Sequence, residues 1–210
     1  MEGEENKNNE IKVILVGDAG VGKTCLINVS IGMKFNEEEI SSSSSTFTVK
    51  KMNINNKQYK INLWDTIGQE SLRNLTKLFF NNSKIVIFVY DISNKESFDD
   101  LPNWVKDVEE KLGINIVKGV VANKSDLYLK EKVTEDEGKG YAKKLGAKFL
   151  TISAKEDDPK KFDDFLALLV REYLGVGEEI ENKNFTLEKP KGTQKKKENF
   201  VKIIFYGLIL

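Results

Sequence analysis

Short apolar runs alternate with amphipathic segments along most of the chain. Runs rich in β-branched residues predict buried strands, because a strand covered on both faces of a parallel sheet shows no polar alternation. The strands predicted in this way cover residues 11–16, 84–90, 116–121 and 148–152. Two further predicted strands, 47–54 and 58–64, flank Asn55-Asn56, a sequence typical of a β-hairpin turn.

Helices are predicted between these strands by apolar residues at helical spacing and by capping residues. They cover residues 23–31, 97–112, 134–146 and 158–174. Thr134 and Glu137 have the spacing of a capping box, and Asp158-Pro159 has the pattern of a helix start. After the hairpin, strands alternate with helices, so we predict an α/β domain with a mostly parallel sheet and helices on both faces.

The two ends of the chain lack this alternation. We predict a flexible N-terminus over residues 1–9, a domain over 10–174 and a flexible tail over 175–210. The tail is basic at 195–197 and apolar from 200 onward. The N-terminus lacks the features of a secretory signal, and no apolar run has the length of a membrane-spanning helix. We therefore expect a cytoplasmic protein, with a peripheral membrane contact through its tail as an additional expectation.

The amino-acid composition excludes several kinds of binding and catalytic site. Lys+Arg and Asp+Glu both number 33 in the 210 residues, which argues against a domain that binds nucleic acid. The sequence has no histidine, which excludes zinc–histidine sites and histidine-based catalytic triads. Its single cysteine, Cys25, cannot form an internal disulfide.

A phosphate-binding loop follows the first predicted strand. Residues 17–24 fit the pattern G-x-x-x-x-G-K-[ST] and precede a predicted helix. Glycines let backbone N–H groups surround phosphate oxygens, and the helix N-terminus adds partial positive charge. Lys23 is expected to reach the β- and γ-phosphates, and Thr24 to coordinate Mg²⁺. The loop alone does not select a base.

A second motif, Asp65-Thr-Ile-Gly-Gln-Glu70, follows the strand that ends at Trp64. Asp65 is suited to holding Mg²⁺ through water, the Gly68 N–H to contacting a γ-phosphate, and Gln69 to orienting an attacking water. Taken alone, the motif is equally compatible with a strand-to-helix turn capped by Asp65.

Two further motifs lie at the ends of later strands. In Asn123-Lys-Ser-Asp126, the carboxylate of Asp126 is suited to accepting the N1 and N2 hydrogens of guanine, a donor pair that adenine lacks. Alone, an ordinary Asx-turn would explain this segment. A backbone N–H of Ser153-Ala-Lys155 is suited to bonding guanine O6, although the tripeptide alone is uninformative.

With these motifs in this order over residues 10–174, the chain resembles the Ras-like small GTPases, most closely the Rab family. The segment Tyr90–Phe98, followed by Trp104, looks like the corresponding segment of the Rab proteins. The resemblance implies a G domain of the P-loop NTPase type, with a mostly parallel six-stranded sheet and one antiparallel edge strand. It also implies a monomeric switch in vesicle-mediated transport. GTP and Mg²⁺ order two loops of such a switch, and hydrolysis of GTP releases them. Exchange factors, GTPase-activating proteins and effectors are its implied partners.

The resemblance also implies residue roles. The guanine nucleotide, GTP or GDP, is assigned to Asp18, Ala19, Gly20, Val21, Gly22, Lys23, Thr24, Cys25, Phe35, Ser42, Gly68, Asn123, Lys124, Asp126, Ser153, Ala154 and Lys155. Mg²⁺ is assigned to Thr24, Ser42 and Asp65, and catalysis to Gln69 and Lys23.

Three departures from the family pattern keep alternatives open. Ser42 replaces a threonine in a serine-rich loop, and Ile67 replaces an alanine next to Gly68. A guanine-nucleotide-binding module with impaired hydrolysis is therefore the alternative to a working switch. The tail has no cysteine for prenylation, and its eleven apolar-rich residues, 200–210, are too short to span a bilayer. Another P-loop class, such as a nucleoside kinase, is disfavoured by residues 123–126.

Overall fold

A six-stranded sheet forms the centre of the part of the chain that the computed structural model describes, residues 9–35, 46–66 and 77–177. The strands are β1 Glu10–Val16, β2 Thr46–Ile54, β3 Lys57–Asp65, β4 Ile85–Asp91, β5 Val117–Asn123 and β6 Lys148–Thr151. Their order is β2-β3-β1-β4-β5-β6. The edge strand β2 pairs antiparallel with β3, and the other pairings are parallel. The predicted fold class is confirmed.

Helices cover both faces of this sheet. They are α1 Lys23–Ser30, α2 Lys95–Asp99, α3 Leu101–Leu112, α4 Glu135–Leu145 and α5 Lys160–Leu174. Two 3₁₀ turns, Lys77–Phe80 and Ser125–Lys130, were not predicted from the sequence. None of the helices in the described ranges is long and apolar enough to cross a bilayer.

The helix predicted over residues 97–112 is instead two helices, so that prediction was wrong. Helix α2 begins earlier, because the Asn94 side chain accepts the Glu96 and Ser97 N–H groups at 3.0 and 3.4 Å. A break follows at Asp100, since Pro102 has no N–H to donate to the carbonyl of Phe98. The apolar spacing continues through the break and therefore does not reveal it.

Strand β1 separates two hydrophobic core clusters. Val13 and Leu15 face the cluster that includes residues of α1 and α5, whereas Ile14 and Val16 face the cluster that includes α3 and part of α4. All four side chains are fully buried. Alternate side chains point to opposite faces of a strand, so the part of β1 that is covered on both sides, residues 13–16, is apolar at every position.

The parallel pairings place the carboxyl ends of five strands at one edge of the sheet. Ligands of open α/β sheets bind outside this edge. The predicted motifs begin there: the loop after β1, Asp65 at the end of β3, Asn123 at the end of β5 and Ser153 after β6.

Candidate functional site

The loop between β1 and α1 is fitted closely against neighbouring strands. Gly17 and Gly22 have φ values of 144° and 95°, in the region that favours glycine. A Cβ atom at Gly17 would lie 2.1 Å from the Val89 carbonyl oxygen, and one at Gly22 would lie 2.3 Å from Nδ2 of Asn123. Both positions therefore require glycine for conformation and for space.

The Lys23 ammonium group lies within this loop. Its Nζ donates to the carbonyl oxygens of Gly17 and Asp18, each at 2.8 Å, and the side chain is only 5% exposed. Burial lowers the pKa of Lys23 to about 8, against the opposing influence of the Asp65 and Asp18 charges. A phosphate group bound by the loop would add the negative charge that favours the ammonium form.

Thr24 and Asp65 bring two oxygen atoms together at the start of α1. The Thr24 hydroxyl donates to Oδ2 of Asp65 at 2.6 Å, and Asp65 is 2% exposed. Thr66 donates to the Leu15 carbonyl at 2.6 Å, which holds the end of β3 against β1. Hydroxyl and carboxylate oxygens are hard ligands that suit Mg²⁺.

The hydroxyl of Thr24 and the carboxylate of Asp65 are too few to hold a cation by protein ligands alone, but they suit Mg²⁺. In the described part of the chain, no group of three or more His, Cys, Asp or Glu side chains is placed to hold a metal. Mg²⁺ usually keeps several waters and takes few protein ligands together with substrate phosphates. Thr24 and Asp65, next to a phosphate loop, match this coordination preference.

Asn123 braces the loop against the segment after β6. Its Nδ2 donates to the Val21 carbonyl at 2.7 Å, and its Oδ1 accepts the Ala154 N–H at 3.2 Å. The side chain is 1% exposed. In the structure Asn123 joins the phosphate loop to the segment of Ser153, and its assignment to the base stays a prediction.

Ser153 aims the carboxylate of Asp126. Its hydroxyl oxygen accepts the N–H groups of Lys155 and Glu156 at 3.2 and 3.1 Å. The hydroxyl proton is thereby directed to Oδ1 of Asp126, at 2.6 Å. A carboxylate can accept about four hydrogen bonds, so Asp126 keeps capacity for two donors of a base.

Lys124 has a partner that sequence reasoning missed. Its backbone has a φ of 63°, and its Nζ lies 2.7 Å from Oδ2 of Asp91. The other oxygen of Asp91 accepts from the backbone N–H and the hydroxyl of Ser93, at 2.8 and 2.7 Å. Asp91 ends strand β4, and its place at the carboxyl edge of the sheet is the signal that could have identified it.

Two other assigned residues pack against the core, and three lie outside the described ranges together with Ile67. Phe35 and Cys25 are partly buried against the core cluster that contains α1 and α5. Ser42, Ile67, Gly68 and Gln69 lie outside the described residues. The roles assigned to them remain predictions.

Comparison with known proteins adds a family match over nearly the whole described chain. The model of the Ras family matches residues 12–174. The Ras-related protein SEC4 of Saccharomyces cerevisiae is 38% identical over 148 residues, which cover 70% of this chain and 68% of that protein. The Ras-related protein Rab-8B of Homo sapiens is 36% identical over 144 residues, covering 69% and 70% of the two chains.

Proposed function

Because the chain belongs to the Ras family of small GTPases, we propose that it is a Rab-like switch that binds GTP or GDP with Mg²⁺ and hydrolyses GTP slowly. The observation that carries this proposal is the brace of Asn123. It joins the phosphate loop, through Val21, to the segment whose Ser153 aims Asp126. One guanine nucleotide would span the same two parts of the site.

The proposed roles follow from the contacts. Lys23 and the N-terminus of α1 bind the phosphates, and Asp126 accepts the N1 and N2 hydrogens of guanine. Lys124, held by Asp91, lays its aliphatic stem along the base. Thr24 and Asp65 would hold Mg²⁺, which when bound neutralises charge on the phosphate oxygens.

We propose that hydrolysis is slow because the chain positions water without supplying all the charge stabilisation. Gln69 orients a water molecule whose oxygen forms a bond to the γ-phosphorus, while the bond between that phosphorus and the GDP oxygen breaks. GDP and phosphate are the products, and the proton of the water goes to the phosphate or to solvent. In related switches an arginine from a partner stabilises the transition state, and rates without it are on the order of 10⁻⁴ to 10⁻² s⁻¹. An activating protein is therefore part of the proposal.

The test combines nucleotide identity with turnover. We expect a guanine nucleotide to copurify with the chain, ATP to compete poorly, and GTP to be hydrolysed slowly in single-turnover assays. Gln69→Leu should slow hydrolysis further while leaving GTP binding intact. Indistinguishable rates for the two chains would show that Gln69 has no catalytic role, and competition by ATP as strong as by GTP would refute the guanine assignment.

A binding module without turnover is the second candidate, and Ile67 favours it. A β-branched side chain replaces the family's alanine beside Gly68 and is stiff at χ1. It would hinder the backbone adjustment that brings Gly68 to the γ-phosphate. Bound GTP that persists for hours, even with activating proteins present, would support this candidate; recovery of turnover in Ile67→Ala would identify the cause.

We further propose a cytoplasmic role in vesicle-mediated transport, with exchange factors, activating proteins and effectors binding at the switch loops. The G domain spans residues 10–174 in this proposal, and the tail 175–210 contacts membranes weakly. Lysines 195–197 precede an apolar stretch, a combination that favours anionic lipid surfaces. Sedimentation with anionic and neutral vesicles tests this contact, which should be lost when the three lysines are changed to glutamine.

A further inference from the structure

A hydrogen bond joins the core of helix α3 to the phosphate loop. Trp104 is fully buried in the cluster that contains α3, yet its indole N–H donates to Oδ1 of Asp18 at 2.8 Å. A buried tryptophan needs a partner for this N–H. Here the partner is the residue that follows Gly17 in the loop.

Asp18 is also in contact with the lysine of the loop. Its backbone carbonyl accepts the Lys23 ammonium group at 2.8 Å. Asp18 therefore links two groups. Its side chain binds the indole of Trp104, and its backbone carbonyl binds the Lys23 ammonium group. A shift of Asp18 would move the carbonyl to which Lys23 is bonded.

The charge of Asp18 favours the ammonium form of Lys23, but it is unfavourable for a phosphate group bound close to it. It is the one acidic side chain in the loop sequence 17–24, and a carboxylate close to phosphate groups repels them. A hydrogen bond from the indole to an ionised carboxylate is of the strong, charge-assisted type. It fixes the position of the negative charge.

We infer that Trp104 is a positioning residue of the phosphate loop, whose indole N–H holds the Asp18 carboxylate against α3 and so limits its repulsion of bound phosphates. This inference rests on the proposed nucleotide site. The alternative is that Asp18 only satisfies a buried donor. In that case, loss of the N–H would reduce the stability of the fold without a specific effect on nucleotide release.

The experiment measures release of a fluorescent GDP from the full chain in excess unlabelled GDP and Mg²⁺. Trp104→Phe keeps an aromatic ring and removes the N–H. We expect release roughly tenfold faster, the size expected for one charge-assisted hydrogen bond. Adding Asp18→Ala to this variant should restore slow release, because the carboxylate that Trp104 no longer holds is then absent.

A control variant separates this effect from loss of packing. Val108→Ala removes buried volume from the same helix and the same core cluster and changes neither partner of the hydrogen bond. It should lower the melting temperature and leave the release rate unchanged. Unchanged release in Trp104→Phe, or fast release that persists in the double variant, would overturn the inference.

A second measurement avoids any change in the core. The chain has two tryptophans, Trp64 and Trp104, so each indole N–H signal can be identified by nuclear magnetic resonance. We expect the Trp104 signal to exchange slowly with solvent and to shift in Asp18→Ala. If it does neither, the inference fails. A wild-type chain that holds no guanine nucleotide would overturn the proposed function as well, whereas normal binding with unaltered release would overturn this inference alone.

Discussion

The hydroxyl oxygen of Ser153 lies between the backbone amides of Lys155 and Glu156 and directs its proton to Asp126. Ser153 itself is 2% exposed. The carboxylate assigned to the base is therefore held by a buried hydroxyl group. Removing this hydroxyl would leave Asp126 free to turn away from guanine.

We predict that Ser153→Ala lowers GDP affinity about tenfold, the effect of losing one hydrogen bond to a charged group. Preference for GDP over inosine diphosphate should also narrow, because inosine lacks the 2-amino donor that an aimed carboxylate would accept. Competition against a fluorescent GDP measures both quantities. Ser83→Ala, which changes another buried serine just before the amino end of β4, is the matched control. An equal loss in both variants would contradict the prediction.

Individual residues differ in how far the sequence could predict them. Lys23 and Thr24 lie in a motif whose residue spacing is enough to predict their roles. The structure places both next to Asp65. The contact between Trp104 and Asp18 joins residues 86 positions apart. No local pattern in a single sequence records such a pair, because it depends on how helices and strands pack.

Among the elements, α4 was predicted together with its capping contacts. Thr134 accepts the Glu137 N–H at 3.3 Å, and the Glu137 carboxylate accepts the Thr134 N–H at 2.8 Å. All the atoms of this capping box lie within four residues, so the sequence pattern suffices. The break between α2 and α3 was missed because the same apolar spacing runs through both helices.

The capping box makes the stability of the fold depend on pH. Hydrogen bonds from the Thr134 backbone and side chain, and then the Lys95 ammonium group, lower the pKa of Glu137. A lowered carboxyl pKa stabilises the fold above the unfolded pKa of about 4.3. That contribution is lost as the pH falls through the lower pKa of the folded chain.

We therefore predict that Glu137→Gln lowers the urea midpoint at pH 7, and that the difference from wild type shrinks as the pH approaches 3. Glutamine keeps an oxygen that can accept the Thr134 N–H, so the change isolates the charge. Asp136→Asn, in the same turn of α4 but outside the capping box, should show less pH dependence. A constant difference between Glu137→Gln and wild type across this range would contradict the argument.

On the scale of the whole domain, the parallel sheet gathers residues that are distant along the chain. Thr24 and Asp65 meet although 41 positions separate them, and Asn123 spans 102 positions to reach Val21. The alternation of strands and helices predicted the class of sheet, but not the order of its strands or these contacts. A ligand that binds such a converged edge stabilises the folded chain as a whole.

Because a bound ligand stabilises the folded chain, the melting temperature reports whether the Thr24 hydroxyl is a metal ligand. Thr24→Val preserves the shape of the side chain and removes the hydroxyl that lies 2.6 Å from Asp65. We expect Mg²⁺ to raise the melting temperature of the GDP-loaded wild-type chain, and EDTA to reverse the rise. The response should be smaller in Thr24→Val, because tenfold weaker metal binding removes about 1.4 kcal/mol of linked stability under excess metal.

Thr48→Val is the control, since it makes the same change within β2. It should retain the full response to Mg²⁺ even if its melting temperature in EDTA differs from that of wild type. Equal responses in all three chains would show that the Thr24 hydroxyl does not hold the metal. A response reduced in Thr24→Val alone would instead connect the hydroxyl at the start of α1 to the stability of the entire nucleotide-bound fold.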